Sequence, residues 1–245
     1  MQGEKQVLKS ARTFSYLFGY LPIAATNLAK FKKRKANMSQ EEYSKLIHSE
    51  PQKWASGIMQ RTGSQVEVSG LDYLPEGPVL FVSNHEGNFD IPVLLSSIPK
   101  PFGFISKEEV RKFPIIPTYM EEMNCVFLDR TDRRSAFKSI TDTIGKLQEG
   151  HSILIFPEGT RSKGQGLKEF KAGFMRIAKE AGVPVVPIAI EGTSRIMENN
   201  NNQIRPAHVR VQVLEPFTPQ QLDAAGVKAA QVVKSRIEQA LAKLQ

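Results

Sequence analysis

Val79-Leu80-Phe81-Val82-Ser83-Asn84-His85-Glu86-Gly87-Asn88-Phe89-Asp90 is the stretch on which the fold turns. Its apolar start has the character of a buried strand, and polar residues cluster where that strand must end. Ile153-Leu154-Ile155-Phe156 repeats the pattern and runs into Pro157-Glu158-Gly159-Thr160-Arg161-Ser162. In open α/β sheets the carboxyl ends of the strands are where ligands bind. Two such ends, one bearing an imidazole and a carboxylate, the other a Glu and an Arg, suggest base catalysis beside an anion site.

Working outward, further strands are expected over Val66–Val68, Phe102–Ser106, Cys125–Asp129, Val185–Ile190 and Val209–Leu214. Helices are expected over Ile91–Ile98, Arg134–Gln148, Lys168–Ala181 and Gly226–Leu244. Alternation of this kind predicts an α/β fold with a mixed, largely parallel sheet covered by helices. Glu198–Gln203, polar throughout, reads as an exposed loop.

Residues 1–62 are different. Thr13–Ala29 is apolar and aromatic but broken by Gly19 and Pro22, so it is short of the ~20 apolar residues of a spanning helix. Lys30, Lys32, Lys33, Arg34 and Lys35 follow it. One reading is an interfacial anchor, with Phe14, Tyr16, Leu17, Phe18, Tyr20 and Leu21 at the acyl boundary and cations on headgroups. The other is a helix packed on the protein's own core with a solvated basic linker after it. A signal peptide fits less well, because the stretch is too polar and the basic run is a poor setting for cleavage. A second helix spans 39–61, opened by a capping box of Ser39 with Glu42, and Pro51 is expected to kink or split it. The chain thus divides into a two-helix element with a basic linker, 1–62, and a main α/β domain, 63–245.

The formal charge of +8 favours an anionic partner, and nucleic acid, anionic lipid and phosphorylated metabolites all qualify. One cysteine, Cys125, excludes an internal disulfide. Four histidines (His48, His85, His151, His208) and no Cys pair or H-E-x-x-H argue against a metal site. There is no Gly-rich nucleotide loop and no G-x-S-x-G elbow, so neither a cofactor nor a nucleophilic serine is expected.

His85 followed by Asp90 suits a base and its orienter, since a carboxylate on the far nitrogen fixes the tautomer of a neutral imidazole. The bland alternatives are an Asp90 that merely caps the helix and a His85 bonded to a loop carbonyl. Arg161 offers a planar fork suited to phosphate oxygens, and Gly159 permits the tight turn beside it. Lys107 and Arg130 follow two other strands at the same sheet edge. Taken singly, each cation reads equally well as a surface charge.

With these residues in hand, the chain resembles the glycerolipid acyltransferases of the PlsC type, the 1-acylglycerol-3-phosphate acyltransferases. Their N-H-x-x-x-x-D motif appears at Asn84–Asp90, a hydrophobic-Asp-Arg motif at Phe127–Arg130, F-P-E-G-T-R-S at Phe156–Ser162, and V-P-hydrophobic at Val186–Ile188. The four stand in family order over roughly residues 63–215. The resemblance implies that 63–245 is the catalytic domain and that His85, oriented by Asp90, deprotonates the sn-2 hydroxyl of lysophosphatidate. The alkoxide would attack the thioester of acyl-CoA or acyl-carrier protein and give phosphatidate without an acyl-enzyme. Glu158, Gly159, Thr160, Arg161 and Arg130 would serve acceptor binding, with Lys107 added on physical grounds. The implied partners are the lysolipid, the acyl donor and an anionic membrane surface at the cytoplasmic face. Glycerol-3-phosphate or another lysolipid stands as an alternative acceptor. A non-catalytic basic module is disfavoured, since the aromatics near 14–20 are bunched rather than interleaved with cations for stacking nucleic acid.

Overall fold

A computed structural model describes residues 2–129 and 131–244, the side chains of 2–5 and of Arg133 excepted. Among these residues seven strands form one sheet: β1 (Gln65–Ser69), β2 (Leu80–Ser83), β3 (Phe102–Lys107), β4 (Val126–Leu128), β5 (Ser152–Ile155), β6 (Val185–Glu191) and β7 (His208–Val213). Their order is β1-β7-β6-β2-β5-β3-β4, and every pairing is parallel except β6 with β7. The mixed, largely parallel sheet expected from the alternation is therefore present.

Pleating sends neighbouring side chains to opposite faces. Phe81 packs with Ala55, Ile58, Val93 and Leu94 on one face, while Leu80 and Val82 pack with Leu147, Phe174, Ile177 and Ile237 on the other. Full burial of such side chains stabilises by roughly 1.5–3 kcal/mol each. The first face is covered by α3 (Gln40–Thr62) and α4 (Asp90–Ser97), the second by α6 (Arg133–Gln148), α7 (Gly173–Ala181) and α9 (Ala229–Leu244).

The N-terminal part holds three helices. The apolar stretch is divided at Tyr20 between α1 (Gln2–Gly19) and α2 (Leu21–Arg34), with Pro22 in the first turn of α2. The capping box of α3 forms as expected, Ser39 Oγ accepting from the Glu42 amide at 3.2 Å and Glu42 from the Ser39 amide at 2.8 Å. Pro51 does not split this helix, which continues to Thr62. No helix among the described residues is long and apolar enough to cross a membrane. Phe14, Phe18 and Ile23 face outward. Tyr16, Leu17, Tyr20 and Leu21 instead turn to the protein: Arg61 lies over the Tyr16 ring at 3.6 Å, and Tyr20 Oη donates to Glu50 at 2.6 Å.

Two further helices, α5 (Ile116–Glu122) and α8 (Pro219–Ala225), lie outside the sequence expectation. Helix α7 begins at Gly173 rather than near Lys168, because 167–172 is drawn back over the loop after β5: the Lys168 amide donates to Glu158 at 2.9 Å and the Lys171 amide to Pro157 O at 3.0 Å.

Candidate active site

Strand β2 pairs with β5 through Leu80–Ile153, Phe81–Leu154 and Val82–Ile155, so both motif loops leave the sheet side by side. The loop after β2 is pinned first by Asn84. Its side chain donates to Ile190 O at 2.8 Å and accepts from the Ile190 amide at 2.9 Å, spanning to β6 as a backbone pair would. Each such bond adds ~0.5–1.5 kcal/mol, and a lost partner here would leave buried groups unpaired.

His85 Nδ1 lies 2.6 Å from Asp90 Oδ2. A carboxylate can only accept, so Nδ1 carries a proton, and in the neutral imidazole it is Nε2 that holds the lone pair. The imidazole is about one-fifth exposed and lines a cavity of about 510 Å³. Its face stacks on Phe156, with centroids 4.1 Å apart and planes at 15°. Asp90 is fully buried and also accepts from the Glu86 amide at 2.7 Å, the Gly87 amide at 3.1 Å and the Thr193 hydroxyl. The N-cap of α4 is Phe89, and the carboxylate of Asp90 turns back onto the loop, so the capping alternative does not hold.

Glu158 is buried, and both its oxygens are committed to backbone amides: His85 N at 2.6 Å and Lys168 N at 2.9 Å. Burial pushes its carboxyl above the usual range, against the pull of those amides. The loop closes with Ser162 N donating to His85 O at 2.7 Å and Gly159, at φ +69°, in the left-handed region that suits glycine. Thr160 is exposed. Lys107, Gly159 and Arg161 line the same cavity as His85, so the structure brings three strand ends together as the sequence implied. Arg130 lies outside the described residues.

Several neighbours carried no sequence signal of their own. Glu86, buried and shifted upward by burial, accepts from the Gly192 amide at 2.8 Å and from the Ser194 amide at 3.2 Å and its hydroxyl at 2.5 Å. Lys171 lines the cavity beside Gly159. Asn199 and residues 201–203 are exposed as expected, but Glu198 departs from the exposed-loop reading: its side chain is 6% exposed, accepts from the Asn88 amide at 2.6 Å and lies 4.0 Å from Arg161 Nη1. All of these follow β6 or sit in loops whose partners are distant in sequence. The other histidines stand apart: His48 is buried on α3, His151 precedes β5 and His208 begins β7. Among the described residues no three His, Cys, Asp or Glu group to hold a metal ion. Cys125 is buried, and burial pushes its thiol up to about 12, which leaves it a poor nucleophile.

A family model described as Acyltransferase matches residues 65–191. A chloroplastic 1-acyl-sn-glycerol-3-phosphate acyltransferase of Arabidopsis thaliana is 40% identical over 156 residues, 62% of this chain and 44% of that one. The chain thus spans about half the length of such plant relatives. A lyso-ornithine lipid O-acyltransferase of Pseudomonas aeruginosa is 32% identical over 70% of this chain and 71% of its own. The crystal structure of the 1-acyl-sn-glycerophosphate acyltransferase PlsC from Thermotoga maritima superposes with a TM-score of 0.86 at 27% identity, covering 100% of this chain and 98% of that one.

Proposed function

The chain belongs to the PlsC-type glycerolipid acyltransferase family, and on that premise we propose that it acylates the sn-2 hydroxyl of 1-acylglycerol-3-phosphate. The observation that carries this reading is the 2.6 Å contact of His85 Nδ1 with a fully buried Asp90, which leaves Nε2 as a base facing the cavity. The hydroxyl gives its proton to Nε2, and the oxygen attacks the thioester carbonyl. The tetrahedral adduct then collapses with cleavage of the C–S bond, and the imidazolium returns the proton to the departing thiolate. Asp90 stabilises the imidazolium in between. No cofactor enters this scheme, and the donor is acyl-CoA or acyl-carrier protein.

Arg161 and Lys107 hold the acceptor phosphate, while Glu158 acts through the loop it fastens to His85. A donor arriving from water must bury its acyl chain, whereas the lysolipid can leave its own chain in the bilayer. The apolar cavity of about 240 Å³ beneath α2 and α3, lined by Tyr20, Leu21, Ala24, Trp54, Leu95 and Met120, suits the donor's chain. It meets the His85 cavity at Ile91, Phe104, Ser106 and Val110. The outward Phe14, Phe18 and Ile23, with the basic end of α2, rest on an anionic leaflet at the cytoplasmic face. Residues 1–62 then form the membrane-binding element and 63–245 the catalytic domain.

The Pseudomonas relative, with the longer overlap, carries a second reading in which the acceptor is another lysolipid. A panel of lysophosphatidate, glycerol-3-phosphate and lyso-ornithine lipid separates the two. His85→Ala is expected to lower transfer by at least ~10²-fold in a folded protein, and near-normal turnover would end the proposal.

A further inference from the structure

The space at His85 forks around the carboxyl edge of the sheet. Phe104 and Ile105 are neighbours on β3 that pack on opposite faces. Phe104 walls the branch under α2 and α3, and Ile105 walls a second branch between the strand ends and helices α6 and α7. That second branch is lined by Leu128, Ala136, Ser139, Ile140, Phe174 and Ile177.

We infer that the branch between α6 and α7 holds the phosphopantetheine arm of the thioester donor. The inference deepens the proposed function and rests on it. A thioester carbon is trigonal, so its acyl chain and its sulfur point away from each other. With the carbonyl at His85 and the chain under α2 and α3, the sulfur is directed over the edge of β3 into the opposite branch. The acceptor then approaches from the side of Arg161. The linings match this division. The branch under α2 and α3 is almost wholly apolar, as a methylene chain requires. The α6–α7 branch mixes Leu, Ile and Phe with the buried Ser139 and meets Lys171 just before α7 begins. An arm with apolar segments, amides and a terminal phosphate fits such a lining.

Ala136→Trp places an indole in this branch from the first turn of α6, and Ile140→Trp does so one turn later. In variants shown to be folded by thermal melting, calorimetric titration with coenzyme A is expected to give a Kd at least about tenfold weaker. The KM for both coenzyme A and acyl-carrier-protein thioesters rises by a similar factor, that for lysophosphatidate stays within about twofold, and the chain-length profile of the product is unchanged. Should either Trp unfold the protein, Ile140→Phe serves in its place. Unchanged coenzyme A binding overturns the inference. So does an altered chain-length preference, which would put the acyl chain here, or a rise confined to coenzyme A thioesters, which would put the nucleotide here. If the unaltered protein transfers no acyl group, the proposed function fails, and the calorimetric comparison still decides the placement of the arm.

Discussion

The imidazole of His85 lies flat against the ring of Phe156, with centroids 4.1 Å apart and planes 15° from parallel. Asp90 fixes one edge of the imidazole, and Phe156 fixes its plane. Ring pairs of this kind contribute ~0.5–1.5 kcal/mol beyond area burial. Phe156→Leu is therefore expected to lower kcat roughly threefold to tenfold, while Phe156→Tyr, which keeps the stack, stays close to the parent. Rates of phosphatidate formation under saturating donor and acceptor check this. An unchanged kcat in the Leu variant would remove Phe156 from the positioning of the base.

The same pair shows what the sequence made legible. Phe156 reads as the last apolar residue of a strand, and strand β5 ends one residue earlier, at Ile155. That its ring backs His85 depends on β5 being the neighbour of β2, and parallel neighbours 73 residues apart leave no local trace. All seven strands were legible, β2 to β6 as short apolar runs and β1 and β7 as polar-apolar alternations of Val with Glu, Arg or Gln. The capping box at Thr218–Gln221 was equally readable in principle and announces α8, whereas α5, Ile116–Glu122, is masked by the prolines at its start, Pro114 and Pro117. His85, Asp90, Lys107 and Arg161 were found because their chemistry is rare at strand ends. Thr193, Ser194 and Glu198 were not, since a hydroxyl or a carboxylate in a polar loop announces nothing until its partner 103 to 110 residues away is known.

Asp90→Asn tests the orienter. The carboxylate accepts at once from His85, from the amides of Glu86 and Gly87 and from the Thr193 hydroxyl. An amide keeps one acceptor oxygen but brings a donor toward the loop and gives no charge to balance an imidazolium. We expect kcat to fall about 10²–10⁴-fold with a modest change in melting temperature. Asp90→Ala leaves the loop amides unpaired and costs a further ~1–3 kcal/mol of stability. A rate loss that tracks the stability loss across the two variants would mean that Asp90 only holds the loop.

His48 gives a pH-dependent prediction away from the site. It is 2% exposed, its Nε2 has no hydrogen-bond partner among the described residues, its ring sits 5.2 Å from Phe102, and burial lowers its pKa from 6.5 to about 4. The folded state thus binds this proton more weakly than the unfolded chain. No penalty exists above pH 6.5, where both states are neutral. It grows as pH falls from 6.5 toward 4 and levels off below, reaching about 3 kcal/mol. His48→Phe removes it. Thermal melts of both proteins should differ by a constant at pH 7 to 8 and diverge in favour of the variant as pH falls. A gap independent of pH would show that His48 does not titrate with folding.

Arg161 and Glu198 are best tested together. The guanidinium lies 4.0 Å from Glu198 Oε1, too far for a hydrogen bond, so its fork stays available for a phosphate. Arg161→Ala is expected to raise the acceptor KM roughly 10–100-fold with donor KM unchanged, as a charge-assisted contact of ~1.5–3 kcal/mol implies. Glu198→Gln keeps an oxygen for the Asn88 amide and removes the counter-charge. With Arg161 about one-third exposed, solvent screening limits that pair to ~1 kcal/mol, or roughly fivefold in acceptor KM. The decisive measurement is the double variant. If Glu198 acts by orienting the guanidinium, Glu198→Gln has no further effect on acceptor KM once Arg161 is Ala. A full fivefold loss in that background would assign Glu198 to the loop at Asn88 instead.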